Sequence, residues 1–214
     1  MHTSAINDVP SRTITETHLL GHVWGDRELF AHLDLKFSAG VSLVRGEEQA
    51  GKSTLLRILS GELAPTSGWI QTNGIRAHQE PLMYAHSVFR TDTIHASLDQ
   101  ISPAQWFANL PERYPLFKSS VLAELVKAFG LSPHIGKPMY MLSAGSRRKV
   151  GISAAMASGA ALTLIDQPFA ALDGPSGRIL REVLQDFTQQ SERVCVIADY
   201  EAPETVPLTS TIAL

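Results

Sequence analysis

The sequence predicts an α/β fold: a mostly parallel sheet covered by helices, with an antiparallel N-terminal part and a helical subdomain. Apolar runs with the length of buried strands alternate with helical patterns along most of the 214 residues. A hairpin pattern precedes this alternation, and a helix-rich insert from about 93 to 142 interrupts it. The composition, 44% hydrophobic and 18% charged, is that of one ordinary globular domain.

Bulk properties exclude several functions. The net charge of -3 provides no basic footprint for nucleic acid. Residues 1–16 are polar and lack the apolar core of a secretory signal. The sequence also contains no uninterrupted run of 18 apolar residues, the length that a membrane-spanning helix needs. The single cysteine, Cys195, lies in an apolar run and rules out a disulfide framework. We therefore expect a cytoplasmic protein with a flexible lead-in, 1–16, and one domain, 17–214.

The N-terminal elements are predicted from alternation and turn residues. Residues 18–24 and 29–37 alternate apolar and polar side chains around Gly25-Asp26, which indicates a hairpin. The run 41–44 is typical of a buried strand. Residues 69–74 indicate a short strand that ends in an Asn-Gly turn, and 82–87 a further short strand.

The C-terminal half alternates helices and strands. Ser102 followed by Pro103 is a helix-start signal, and an amphipathic helix over 121–130 ends at a glycine. Further helices are expected after residue 143 and over 176–189. The strands between and after them lie at 161–166 and 193–198, which completes the predicted parallel sheet.

One stretch carries a specific chemical signature. Residues 46–54 match the phosphate-loop pattern G-x-x-x-x-G-K-[ST] at every required position, between a predicted strand and a predicted helix. The candidate nucleotide-binding residues in this stretch are Gly46, Glu47, Glu48, Gln49, Ala50, Gly51, Lys52, Ser53 and Thr54. The sequence therefore predicts the core of a P-loop NTPase.

The chemistry of this loop follows from its residue types. Gly46 and Gly51 let the backbone curl around an anion, and the backbone N–H groups at the helix start point at phosphates. Lys52 places a cation on the β- and γ-phosphates, and the Ser53 hydroxyl is a ligand for Mg²⁺. The expected cofactors are ATP and Mg²⁺. A small-molecule kinase with the same loop remains an alternative at this point.

Further motifs narrow the prediction. Residues 142–146, Leu-Ser-Ala-Gly-Ser, resemble the LSGGQ signature of ATP-binding cassette (ABC) ATPases. Asp166 ends an apolar strand 23 residues beyond Ser143 and resembles the Walker B aspartate, and 170–173 resemble the D-loop. The resemblance runs from about 19 to 198, nearly the whole chain.

The resemblance implies a mechanism. Two subunits would pack head-to-tail around ATP, with Ser143 and the N–H of Gly145 on the γ-phosphate bound by the other subunit. Asp166 would hold Mg²⁺ through water. Trp24 matches the family's base-stacking position, although the residue alone favours a core or edge-strand aromatic. The basic run 147–149 would belong to a helix surface. A separate membrane permease would be the partner, which implies a peripheral location at the inner face of a membrane.

Three positions depart from the family pattern. Gln167 follows the Walker B aspartate, where a glutamate is usual, and an amide cannot accept a proton from the attacking water at neutral pH. Asp199 occupies the place of a histidine that contacts the γ-phosphate. His86 is the nearest match to the family's glutamine ahead of the helical insert, where it would act in catalysis and metal binding.

These departures leave several interpretations open. In the first, hydrolysis is slow and ATP acts as a dimerisation switch. In the second, a different partner subunit supplies an intact site. In the third, a nearby carboxylate, Asp199 or Glu201, replaces the missing base, and in the fourth Gln167 is a neutral substitution in an active enzyme. The favoured function is the ATP-binding subunit of an ABC transporter. The alternative is a non-transport, ATP-gated regulatory module of the same fold with little turnover.

Overall fold

The computed structural model describes residues 12–91 and 96–214, and this part of the chain forms two five-stranded sheets with helices around them. The strands are β1 (Thr13–Trp24), β2 (Arg27–Leu33), β3 (Lys36–Ser38), β4 (Gly40–Arg45), β5 (Ser67–Thr72), β6 (Ile75–Arg76), β7 (Val88–Arg90), β8 (Leu162–Asp166), β9 (Val194–Asp199) and β10 (Ser210–Ala213). The helices are α1 (Lys52–Leu59), α2 (Pro81–Ser87), α3 (Pro103–Arg113), α4 (Ser119–Ala128), α5 (Ala144–Ala157) and α6 (Gly174–Phe187). Short 3₁₀ helices span Ala96–Leu98, Ser132–His134 and Met139–Met141.

The central sheet is parallel, with the strand order β10-β4-β9-β8-β7. Its inner strands are almost completely buried, because α5 and α6 cover one face and α1 together with the antiparallel strands β1, β2, β3 and β5 covers the other. In the register, Arg45 pairs with Asp199 and Asp166 pairs with Ala198. The carboxyl ends of β4, β8 and β9 therefore meet at one edge, which is where ligands bind in such sheets. This sheet confirms the predicted α/β class.

The second sheet is antiparallel and has the order β2-β1-β5-β6, with β3 also paired to β1. The predicted hairpin is present: Trp24 pairs with Arg27 across a turn in which Gly25 has a φ of 61°. The Asn73-Gly74 turn joins β5 to β6, and both residues have the positive φ that such turns need. Trp24 thus ends a strand and is 60% exposed.

The predicted helical subdomain contains α3 and α4, which share one apolar core with α5 and the parallel sheet. Ser102 begins α3 with a capping box, since its hydroxyl accepts the Gln105 N–H while the Gln105 side chain accepts the Ser102 N–H. Gly130, with a φ of 65°, follows the end of α4. The first residues of the predicted insert, 93–95, lie outside the described residues.

Three predicted elements differ from the structure. The strand predicted over 29–37 is divided into β2, which ends at Leu33, and β3, which begins at Lys36. Residues 82–87 form most of helix α2 rather than a strand, because Pro81 starts a helix at its N1 position and Tyr84 alone is buried. The predicted lead-in is also too long: β1 begins at Thr13 and pairs with β3 and β5 from there on. The remainder of the lead-in, 1–11, lies outside the described residues.

Cys195 lies in the middle of β9, and none of its surface is exposed. Burial raises the pKa of its thiol to about 12, although the nearby Arg193 guanidinium lowers it. The predicted role as a small core residue therefore fits its position. In residues 12–91 and 96–214, no helix combines the length and the apolar character that crossing a bilayer requires.

Candidate nucleotide-binding site

The phosphate loop connects the end of β4 to the start of α1, as predicted. Gly51 has a φ of 96°, a backbone conformation that side chains with a Cβ rarely adopt. A Cβ on Gly46 would lie 2.9 Å from the Ala50 Cβ and 3.0 Å from the Leu214 carbonyl oxygen. Both glycines are thus required by the shape of the loop, which presents its backbone at the carboxyl edge of the sheet.

The side chain of Lys52 folds back onto this loop. Its Nζ donates to the carbonyl oxygens of Gly46 at 2.6 Å and Glu47 at 2.8 Å. The same Nζ lies 4.2 Å from the ring centroid of Tyr200, a cation–π contact. Only 6% of Lys52 is exposed. The ammonium is therefore held at the centre of the loop from several sides.

A cavity of about 500 Å³ opens next to the phosphate loop. Trp24, the loop residues Lys52 and Ser53, and the two residues Gln167 and Tyr200 from the sheet edge all line it. Its lining residues are Trp24, Arg27, Leu29, Glu48, Gln49, Ala50, Gly51, Lys52, Ser53, Thr54, Arg57, Gln167 and Tyr200. The structure thus brings together an aromatic face, a phosphate loop and the residue after the predicted Walker B aspartate.

The end of β8 is fixed by Arg148, which projects from α5. Arg148 Nη1 donates to the carbonyl oxygen of Asp166 at 2.9 Å and to that of Gln167. The Gln167 N–H donates to the Ala198 carbonyl oxygen at 2.8 Å, and Gln167 has a φ of 45°, in the left-handed region. The main chain therefore turns sharply after Asp166, and Gln167 lines the cavity.

Two carboxylates and one guanidinium shape the electrostatics at this edge. Burial raises the pKa of Asp199, and the neighbouring Asp166 raises it further, whereas the Tyr200 N–H, Lys52 and Arg148 lower it. Burial also lowers the pKa of Arg148, although both aspartates favour its charged form. Asp199 therefore binds a proton more readily than an exposed aspartate does.

The residues predicted to hold Mg²⁺ fit that ion. Asp166 Oδ1 is buried and has no hydrogen-bond partner among residues 12–91 and 96–214, so one carboxylate oxygen is available as a ligand. The Ser53 hydroxyl is exposed in the cavity. The described residues contain no cluster of three His, Cys, Asp or Glu side chains that could cage a metal. Such a sparse set of hard oxygen donors suits Mg²⁺ held together with phosphates and water.

The signature-like residues lie outside this cavity. Ser143 caps α5, since its Oγ accepts the Ser146 N–H at 3.1 Å. Gly145 packs against the loop after β8, where an added Cβ would lie 2.4 Å from the Ala171 carbonyl oxygen. The structure does not bring Ser143 or Gly145 to the phosphate loop of the same chain.

The predicted role of His86 is wrong. His86 lies on α2, just before β7, and is exposed. Val88 pairs with Leu162, at the amino end of β8, while Asp166 is at its carboxyl end. His86 thus lies at the edge of the sheet opposite the phosphate loop and faces a different cavity, so it cannot assist catalysis or ligate a metal there.

Sequence reasoning missed two residues of the site. It placed Arg148 on a helix surface, whereas its guanidinium holds the carbonyl groups after β8. It gave no role to Tyr200, which follows β9 and covers Lys52. No local sequence pattern indicates this position of Tyr200, because the pairing of β9 with β4 in the structure is what places the residue after Asp199 beside the phosphate loop.

Comparison with known proteins agrees with this geometry. The family model described as ABC transporter matches residues 30–170. A cytochrome c biogenesis ATP-binding export protein, CcmA, from Paramagnetospirillum magneticum is 32% identical over 171 residues, which cover 78% of this chain and 79% of that protein.

Solved structures give the same fold. The ATP-binding subunit of an ABC transporter superposes with a TM-score of 0.78 at 20% identity, covering 87% of this chain and 79% of that one. A dimeric ATP-binding cassette in a post-hydrolysis state with ADP and phosphate gives a TM-score of 0.75 at 19% identity, covering 88% of each chain. With the family model matching more than half of its residues, the chain belongs to the ABC transporter family, as one of its ATP-binding subunits.

Proposed function

We propose that this subunit binds ATP between two ATP-binding subunits packed head-to-tail, and that the pair works with a separate membrane permease at the inner face of a membrane. The observation that carries the proposal is a divided site. Lys52 and Gln167 share one cavity, whereas Ser143 and Gly145 lie outside it on the same chain. A second subunit is the natural source of the missing helix N-terminus.

The described residues suggest how one subunit holds the nucleotide. The exposed face of Trp24 stacks on the base, and the N–H groups of the loop bind the phosphates together with Lys52. Ser53 and Asp166 hold Mg²⁺, which offsets the negative charge of the phosphates when bound. The stacking tolerates any purine, so the preference for ATP over GTP rests on the family.

We propose that hydrolysis is slow. Gln167 lines the cavity and is able to orient a water molecule, but its amide does not accept a proton at neutral pH. General-base assistance typically contributes about 10²–10⁴-fold to a rate. Asp199, whose pKa is raised by burial, lies with Asp166 at the carboxyl edge of the parallel sheet, and its anionic form repels a terminal phosphate.

The test is Mg-ATP turnover by the purified protein, with its mass in solution recorded in parallel. We expect ATP to drive dimerisation while turnover stays well below about 1 s⁻¹, a low value for an enzyme. Asp166→Asn is the control that removes the metal-binding carboxylate and defines the background. Turnover above that rate, abolished in this control, would show that another group acts as the base.

Gln167 and Asp199, which stand in place of the family's glutamate and histidine, also favour a second function. With these residues, the two subunits can act as an ATP-gated regulatory module with little turnover. Purification of the tagged protein from membranes discriminates the two. A polytopic membrane protein that stays bound supports the transport function, whereas an ATP-stabilised dimer without such a partner supports the regulatory one.

A further inference from the structure

The ring of Tyr200 covers the only basic residue of the stretch 46–54. Tyr200 follows β9, the residue is 49% exposed, and its ring centroid lies 4.2 Å from Lys52 Nζ. Its backbone N–H donates to Asp199 Oδ1 at 2.8 Å, which fixes the main chain at this bend. In the described part of the chain, the Tyr200 hydroxyl makes no hydrogen bond, so the contact with Lys52 depends on the ring.

The contacts of the Lys52 ammonium show how the Tyr200 ring hinders the approach of a phosphate group. An ammonium group has three N–H donors. Two of them point at the carbonyl oxygens of Gly46 and Glu47, and the Tyr200 ring covers a further side. Because only 6% of Lys52 is exposed, the ring and the two carbonyl groups together leave a phosphate oxygen little room to approach Nζ. The half-exposed ring moves more easily than the two loop carbonyls do, because side-chain rotation needs no change of the main chain.

We propose that Tyr200 sets the nucleotide affinity of this site by competing with phosphate for the Lys52 ammonium. This inference rests on the proposed function, since it concerns the same cavity. The ring stabilises the nucleotide-free arrangement, and phosphate binding displaces it into the cavity mouth. A cation–π contact of this kind, partly withdrawn from solvent, weakens phosphate binding by about 2- to 30-fold.

The test compares three variants by calorimetric titration with ATP, inorganic pyrophosphate and adenosine. Tyr200→Leu removes the aromatic face and is expected to tighten ATP and pyrophosphate by about 2- to 30-fold. Adenosine affinity stays unchanged, because the base does not contact Lys52. Tyr200→Phe keeps the ring and retains wild-type affinities. Tyr140→Leu, a change at a tyrosine that is 55% exposed, is the matched control.

Each other outcome overturns the inference. Equal phosphate affinities in Tyr200→Leu and the wild type show that the ring does not compete. Weaker ATP binding in both Tyr200 variants shows that the hydroxyl contacts the nucleotide instead. Wild-type protein that binds neither ATP nor pyrophosphate contradicts the proposed function itself, and this result differs from both of the others.

Discussion

At the scale of single residues, the position after Asp166 controls the chemistry at the carboxyl edge of the sheet. Gln167 lines the cavity with its backbone in a left-handed conformation, held by the N–H bond to Ala198. We expect Gln167→Glu to raise Mg-ATP turnover by about 10²-fold, because the carboxylate accepts the proton of the attacking water. Single-turnover assays at saturating ATP measure this change.

The control for that substitution is Gln167→Leu, which keeps a similar side-chain volume without polar atoms. It is expected to leave the slow turnover at the wild-type level. A large loss of turnover in Gln167→Leu, with no gain in Gln167→Glu, would mean that the amide itself positions the water.

The charge of Asp199 is a second residue-scale feature with a measurable effect. Burial raises its folded-state pKa above the 3.8 of an exposed aspartate, so the folded protein holds this proton more tightly. The stabilisation is complete below pH 3.8 and is lost as the pH rises through the folded-state pKa. We therefore expect Asp199→Asn to be more stable than the wild type at pH 7, with an advantage that shrinks toward acid pH.

Urea unfolding of the two proteins between pH 3 and 8 measures that dependence. Asp26→Asn, at the exposed turn between β1 and β2, removes one carboxylate elsewhere and controls for net charge. If the free energies of unfolding of Asp199→Asn and the wild type differed by the same amount at every pH, the expected link between stability and the Asp199 proton would be contradicted.

At the scale of elements, the start of α5 is packed tightly against the loop that follows β8. A Cβ on Gly145 would lie 2.4 Å from the Ala171 carbonyl oxygen, and this backbone atom has no rotamer with which to yield. We expect Gly145→Ala to lower the free energy of unfolding by about 1–3 kcal/mol, as overpacking does. Gly136→Ala, with no atom within 4 Å of its added Cβ, is the control and is expected to be nearly neutral.

The elements differ in how far their sequences determine them. The phosphate loop was predictable because its glycines and Lys52 perform one task whose geometry admits few other residues. The run 82–87 was not, since a short apolar run fits a strand or a buried helix equally and Pro81 decides for the helix. Tyr200 and Arg148 act through contacts between β9 or α5 and distant loops, and such contacts leave no local pattern.

At the scale of the whole molecule, the divided site makes a second subunit part of the proposed function. Ala144 is the first residue of α5 and is exposed beside Ser143. We expect Ala144→Arg to abolish ATP-driven dimerisation, because a long charged side chain must then be desolvated where the two subunits meet. ATP binding by the single subunit stays at the wild-type level.

Light scattering with and without ATP measures this effect. Ala123→Arg, at an exposed position on α4, adds the same charge away from the site and is expected to dimerise normally. An Ala144→Arg protein that still dimerises with ATP would place the subunit contact on another face.

The burial of Cys195 has a practical consequence for such experiments. The chain has one cysteine, and its thiol, in the middle of β9, is completely buried in the native state. Maleimide dyes therefore react with it only when the sheet opens, so the rate of labelling reports unfolding without any engineered probe. Additional cysteines can be introduced on the surface for distance measurements between subunits, since the natural thiol does not react with the dye as long as the protein is folded.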